Sequence, residues 1–175
     1  LLRKANKKVL IAVNKLESSE NYIDPKIYSL GFKDIFFISA IHGKHLGDLL
    51  DEIIKNIPNE TKDLNETFKL TLLGKPNVGK SSIINRIIGE NRNIVSSIAG
   101  TTRDAVDTPI ENEHGKYMFI DTAGIRKKSK INERIEEFSI LRSKLAIERA
   151  DICILVINAE EGATEQDTKI LRNGT

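Results

Sequence analysis

The sequence predicts an α/β fold with a mostly parallel sheet and flanking helices. Three observations indicate this fold: short apolar runs rich in β-branched residues, stretches with helical periodicity between them, and a glycine-rich turn joining one run to a helix. Because strands buried in a parallel sheet are apolar on both faces, the unbroken apolar runs are typical of interior strands.

The first part of the chain predicts a strand at 8–13, a short helix, a strand at 35–38 and a longer helix. The short helix opens at Asp24-Pro25, an N-cap followed by proline at the first helical position. The longer helix is indicated by apolar residues at three- and four-residue steps: Leu46, Leu49, Leu50, Ile53, Ile54 and Ile57. Residues 58–66 are polar and aperiodic, which predicts a linker.

The second part continues the alternation of strands and helices. Strands are predicted at 68–73 and 152–157, a hairpin at 108–111 and 117–120, and helices at 80–88, 132–149 and 164–171. The apolar side of the helix at 132–149 is predicted to carry Ile135, Phe138, Leu141 and Leu145.

Composition limits the class of protein. The chain has 175 residues, of which 39% are hydrophobic and 30% charged, with a formal net charge of +2. That charge is too small to indicate nucleic-acid binding. The one cysteine, Cys153, excludes a disulfide framework, and the longest apolar stretch, 150–157, is too short to cross a bilayer. We therefore expect a cytoplasmic, monomeric protein without a membrane partner. The start at Leu1 and an end within a helical pattern predict a fragment.

A complete phosphate-binding motif follows the strand at 68–73. It comprises Gly74, Lys75, Pro76, Asn77, Val78, Gly79, Lys80 and Ser81, followed by Ser82. The glycines let backbone N–H groups surround phosphates, and the following helix adds its positive dipole end. Lys80 is predicted to bind the β- and γ-phosphates and Ser81 to bind Mg²⁺. This motif between a strand and a helix predicts the P-loop NTPase fold.

Two further sequence elements are predicted to bind Mg²⁺ and the γ-phosphate. Asp121 ends an apolar strand, the usual position for the aspartate that holds Mg²⁺, and Gly124 can bring a backbone N–H close to the γ-phosphate. A threonine between this element and the phosphate loop should complete the Mg²⁺ shell. The spacing leaves Thr101 and Thr102 open, and we favour Thr102.

Base recognition is predicted at two strand ends in the first part of the chain. Asn14-Lys15-Leu16-Glu17 resembles the N-K-x-D element, with Glu17 in place of aspartate, and Ser39-Ala40 resembles the companion S-A loop. A carboxylate accepts hydrogen bonds from the ring N–H and the exocyclic amine of guanine, and adenine lacks that pair. These elements predict a ligand that is GTP or GDP.

Together the motifs resemble the bacterial Der (EngA) GTPases, which carry two GTPase domains in tandem. The resemblance covers nearly the whole chain and includes Gly100-Thr101-Thr102-Arg103-Asp104 and Asp121-Thr122-Ala123-Gly124-Ile125-Arg126. It assigns 1–57 to the end of the first domain, 58–66 to the linker and 67–175 to the start of the second. It implies GTP hydrolysis coupled to maturation of the large ribosomal subunit.

The resemblance also gives expectations for single residues. Ile125 stands where many GTPases have a water-positioning glutamine, and Asn77 resembles the asparagine that binds K⁺ in related GTPases. A potassium ion there would neutralise phosphate charge during catalysis.

A basic cluster after Asp121 is either a solvated face or an rRNA contact: Arg126, Lys127, Lys128, Lys130 and Arg134.

Two other interpretations remain open. The base-reading elements precede the phosphate loop, which is the order of a single-domain, circularly permuted GTPase. A nucleotide-gated ribosome-binding module without turnover is the third interpretation. In the tandem interpretation Asn14 and Glu17 lie far from Lys80, and the isolated chain should bind GTP and ATP almost equally. In the permuted interpretation these residues face the loop and guanine is preferred.

Overall fold

The computed structural model describes residues 2–18, 23–56, 67–90, 107–112, 115–121 and 135–172. Its strands are β1 (Lys8–Asn14), β2 (Ile35–Phe37), β3 (Phe68–Leu73), β4 (Thr108–Asn112), β5 (Gly115–Ile120) and β6 (Ile152–Asn158). Its α-helices are α1 (Lys26–Ser29), α2 (Leu46–Lys55), α3 (Lys80–Glu90), α4 (Ile135–Arg149) and α5 (Glu165–Arg172). The sequence predicted all of these strands and helices, with ends that differ by a few residues.

The described strands form one sheet in the order β2-β1-β6-β3-β5-β4. β4 and β5 pair antiparallel, as expected for the predicted hairpin, and the other neighbouring strands pair parallel. The predicted α/β fold with a mostly parallel sheet is therefore confirmed. Since parallel strands share a direction, the carboxyl ends of β1, β3, β5 and β6 meet at one edge of the sheet.

The strands of segment 1–57 continue the sheet formed by segment 67–175. β1 pairs with β6 along its whole length, from Lys8↔Ile152 to Asn14↔Asn158. β6 in turn pairs with β3, which leads into the phosphate loop. The predicted linker, 58–66, lies outside the described residues. The end of β1 consequently lies two strands away from the end of β3.

Helices cover both faces of the sheet, as a parallel sheet requires. Alternate residues of β1 and β6 point to opposite faces, so Leu10 and Ile154 belong to one core and Ile11 and Leu155 to the other. The first core is closed by α2 and α3, and the second by α1, α4 and α5. Both cores contain residues from each segment, so the hydrophobic effect stabilises the two segments together.

The buried side of α4 differs from the prediction at its carboxyl end. Leu145 was expected on the apolar side but is 51% exposed, whereas Ala146 and Ile147 are buried. Ala146 and Ile147 belong to the same hydrophobic core as Cys153 of β6. The side chains of Ile135, Phe138 and Leu141 are not described. Within the described part of the chain, no helix has the length and apolar character needed to span a bilayer.

Candidate nucleotide-binding site

The phosphate loop runs from β3 to α3 with two glycines in conformations that suit only glycine. Gly74 has a φ of 137° and Gly79 a φ of 101°. A Cβ on Gly74 would collide with the backbone oxygen of Val156, and a Cβ on Gly79 would collide with Nδ2 of Asn14. The loop is therefore fitted closely against the ends of β6 and β1.

Lys80, the first residue of α3, folds back over this loop. Its Nζ donates hydrogen bonds to the carbonyl oxygen of Gly74 at 2.6 Å and to that of Lys75. Burial lowers the pKa of Lys80 to about 8, although the negative charge of Asp167 acts in the opposite direction. A cation on a glycine-containing loop at a helix N-terminus is suited to binding phosphate.

Lys75 is anchored by the connection between β6 and α5. Its side chain is only 10% exposed, and its Nζ lies 2.5 Å from Oε2 of Glu161. Glu161 also accepts a hydrogen bond from Asn158 at 3.0 Å. The hydrogen bond from Lys75 is the main reason that the pKa of Glu161 lies below its usual value. Sequence reasoning missed Glu161, although its place after β6 put it at the site edge of the sheet.

Asn14 connects the two segments at the base-reading side. This residue is 2% exposed. Its Nδ2 donates to the carbonyl oxygen of Val78 in the phosphate loop at 2.9 Å, and its Oδ1 accepts from the N–H of Ala40 at 2.9 Å. Its backbone oxygen accepts from Ala159 N–H at 2.7 Å. Asn14 thus faces the phosphate loop and brings the S-A loop to it, so the expectation of the tandem interpretation that Asn14 lies far from the loop is wrong.

Lys15 and Glu17 lie next to this contact. Lys15 has a positive φ of 68° and its Nζ lies 3.9 Å from Glu160. Burial raises the pKa of Glu17, but a hydrogen bond with Ser39, its own backbone N–H and the positive charges of His42 and Lys15 outweigh burial and lower the pKa overall. Oε2 of Glu17 is buried and has no hydrogen-bond partner in the described part of the chain. Glu17 is therefore an ionised acceptor with unused capacity.

Asp121 follows the last residue of β5 and has a positive φ of 60°. Its N–H donates to Oδ1 of Asp107 at 2.9 Å. Its own Oδ1 accepts a hydrogen bond from Nη2 of Arg142, and Oδ2 of Asp107 accepts one from Nη2 of Arg149. Sequence reasoning missed Asp107 and both arginines, because only the apolar periodicity of α4 was used.

The donors available for magnesium are oxygen atoms, which Mg²⁺ prefers. Ser81 lies in the first turn of α3 and Asp121 at the end of the strand beside β3, so a hydroxyl and a carboxylate belong to the same edge of the sheet. Among the described residues no group of three or more His, Cys, Asp or Glu could hold a metal ion. The chemistry of Ser81 and Asp121 fits an ion that is also held by phosphate and water.

The structure describes some of the remaining predicted site residues and not others. Pro76 and Asn77 are exposed in the loop, and Asn77 has a positive φ of 63°. Asparagine tolerates that conformation better than most residues. Thr101, Thr102, Gly124, Ile125 and the basic cluster at 126–134 lie outside the described residues. The structure therefore brings together Gly74–Ser82, Asp121, Asn14, Lys15, Glu17, Ser39 and Ala40 at one edge of the sheet.

Comparison with known proteins gives consistent matches. A family described as 50S ribosome-binding GTPase matches residues 69–175. GTPase Der from Acetivibrio thermocellus is 59% identical over 97% of this chain and 40% of its own length. GTPase Der from Alkaliphilus metalliredigens is 55% identical over 97% of this chain and 39% of its own length. The predicted resemblance to Der proteins is confirmed, and the chain spans about 40% of their length.

Proposed function

Because the chain belongs to the family of 50S ribosome-binding GTPases, we propose that it binds GTP and GDP with Mg²⁺ at Gly74–Ser82 and hydrolyses GTP. The observation that carries this proposal is the phosphate loop, in which two glycines of positive φ lead to a lysine held over loop carbonyls. A bound triphosphate would offer Lys80 stronger acceptors than these carbonyls, because its oxygens are charged.

Each residue of the site has a separate part in the proposed reaction. Lys80 and the loop N–H groups bind and orient the phosphates and oppose the charge that develops on them. A bound Mg²⁺ would supply further electrostatic stabilisation, held by Ser81 and, through water, by Asp121. Thr102 as a Mg²⁺ ligand, Gly124 as a γ-phosphate donor and Asn77 as a K⁺ ligand complete the proposal.

Nucleotide titration of Lys80→Ala tests the site. We expect triphosphate affinity to be lost, because the lysine that is predicted to bind the β- and γ-phosphates is removed. Lys55→Ala is the matched control, since Lys55 is exposed at the end of α2 and pairs only with Glu52 among the described residues. Undiminished affinity in Lys80→Ala would show that the loop is not the site.

We also propose that the chain corresponds to the end of one GTPase domain, 1–57, a linker, 58–66, and the start of a second, 67–175. This division is supported by the family match, which begins at residue 69, and by the greater length of the Der proteins. In the longer protein we propose a cytoplasmic role in assembly of the large ribosomal subunit, with rRNA contacted by the cluster at 126–134. Co-sedimentation of the whole protein with large subunits, in GDP and in a GTP analogue, tests this role.

A second candidate is a single, circularly permuted GTPase unit within this chain. The contact from Asn14 to the phosphate-loop oxygen of Val78 favours it, because the base-reading element faces the loop as this alternative requires. The pairing of β1 with β6 supports the same arrangement. GTP turnover by this chain would exclude the nucleotide-gated module without turnover, and binding without turnover would support it.

A further inference from the structure

Two arginines of α4 hold the helix against the site edge of the sheet. Arg142 and Arg149 are separated by two helical turns and so lie on the same side of α4. Arg142 pairs with Asp121, and Arg149 pairs with Asp107. Asp107 immediately precedes β4 and Asp121 immediately follows β5, and the antiparallel pairing of these strands brings the two carboxylates together.

The two ion pairs are connected to each other through the backbone. The N–H of Asp121 donates to Oδ1 of Asp107 at 2.9 Å, while the other oxygen of Asp107 accepts from Arg149. Asp107 is thus held on both sides, and its side chain is 10% exposed. The pair of Arg142 with Asp121 is the more open one, with exposures of 47% and 25%. The two arginines are similarly exposed, and the carboxylate of Asp107 is the more shielded of the two acceptors.

We propose that Arg142 is a positioning residue that competes with magnesium for Asp121. The proposal rests on the proposed function, in which Asp121 takes part in holding Mg²⁺. A guanidinium and a divalent cation repel each other, so a carboxylate paired with Arg142 binds a water ligand of Mg²⁺ less favourably than a free carboxylate does. Arrival of Mg²⁺ with the nucleotide therefore weakens the contact between Arg142 and Asp121, while Arg149 keeps its contact with Asp107.

The consequence is a coupling between magnesium and the position of α4. Coupling is reciprocal, so removing the contact of Arg142 must raise the effect of Mg²⁺ on nucleotide affinity. Arg142 lies on the helix that follows the 122–134 stretch, which contains the predicted γ-phosphate element. The contact thus connects the state of the metal site to the first helix after that stretch.

The test measures the affinity of this chain for fluorescent GDP with Mg²⁺ and with EDTA. We expect the ratio of the two affinities to rise about two- to fivefold in Arg142→Gln, the range for loss of an exposed ion pair. Arg142→Lys, which keeps the charge and loses the planar fork, should give a smaller rise. Lys144→Gln is the matched control because it removes the same charge from an exposed position on the same helix, and its ratio should equal that of the unmodified chain.

Hydrogen exchange gives a second readout that does not depend on turnover. Amides of 142–149 should exchange faster with GDP and Mg²⁺ than with GDP and EDTA, and this difference should shrink in Arg142→Gln. If the ratio of the GDP affinities with Mg²⁺ and with EDTA is the same in Arg142→Gln and in the unmodified chain, the proposed competition is wrong and the proposed metal site is unaffected. A ratio raised equally by Lys144→Gln assigns the effect to bulk charge and also overturns it. Affinity of the unmodified chain that is indifferent to Mg²⁺ overturns both this inference and the proposed metal site.

Discussion

Replacing Asn14 by alanine should destabilise the whole chain, because this one side chain satisfies two buried backbone groups. The carbonyl oxygen of Val78 and the N–H of Ala40 would both lose their partner. An unsatisfied buried group costs about 1–3 kcal/mol, so the free energy of unfolding should fall by about 2–6 kcal/mol. That is a large share of the roughly 5–15 kcal/mol that stabilises an ordinary domain.

Urea unfolding followed by circular dichroism measures this loss. With a urea dependence of about 2 kcal/mol per molar, the midpoint should fall by about 1 M or more. Nucleotide affinity should fall as well, since Val78 is part of the phosphate loop. Both effects require that the 1–57 segment contacts the loop, and so the assay also reports on the association of the two segments.

Asn158→Ala is the matched control. Asn158 is the register partner of Asn14 on β6 and is equally buried, at 2% exposure. Its side chain bonds to Glu161 and to the N–H of Glu160, both exposed residues that water can satisfy. Its loss should therefore cost less. Equal midpoints for Asn14→Ala and the unmodified chain, or equal losses in the two variants, would refute the reasoning.

Three further predictions concern the ligand. Nucleotide affinity should fall about fourfold between pH 7.0 and pH 8.5. Lys80, with a pKa of about 8, is about 90% charged at the lower pH and about 24% charged at the higher pH. Nucleotide titrations of Lys80→Arg should not show this pH dependence. GTP turnover should be faster in potassium than in sodium, and equal rates, or an unchanged potassium effect in Asn77→Ala, would remove Asn77 from the mechanism. Because Asn14 contacts the phosphate loop, which the tandem interpretation did not expect, competition of ATP against GTP should show a preference for GTP of about a hundredfold. Glu17→Ala should abolish this preference, since two charge-assisted hydrogen bonds are removed. Near-equal binding of the two nucleotides would contradict a base-reading role for Glu17 in this chain.

Local patterns predicted the elements of this fold well, and the pairing of distant strands poorly. Gly74–Ser81 and the apolar run of β6 are short-range signals, so motif and periodicity were sufficient to find them. The neighbours of β1 are set by which apolar faces meet in the folded chain, and no feature of 8–14 specifies β6 rather than another strand. The reader element at Asn14 was recognised, but its contact with Val78 depends on that pairing.

Polar contacts between elements were missed for a related physical reason. Arg142, Arg149 and Glu161 lie in stretches whose charged residues are typical of a solvated surface, and only the folded edge of the sheet brings them to Asp121, Asp107 and Lys75. Leu145 shows the same limit for apolar residues. Helical periodicity predicts which residues of a helix form an apolar stripe. Which residues of that stripe are buried depends on where the sheet that packs against the helix ends.

The position of Cys153 allows opening of the sheet to be measured by chemical labelling of this thiol. This thiol is fully buried in β6, between β1 of one segment and β3 of the other, and burial raises its pKa to about 12. A buried, protonated thiol does not react with alkylating reagents until the surrounding structure opens. Because the sequence has one cysteine, the labelling rate in native buffer measures how often the strands around β6 separate. Nucleotide bound at the phosphate loop should stabilise the contact of the loop with Asn14 and so slow the labelling of Cys153.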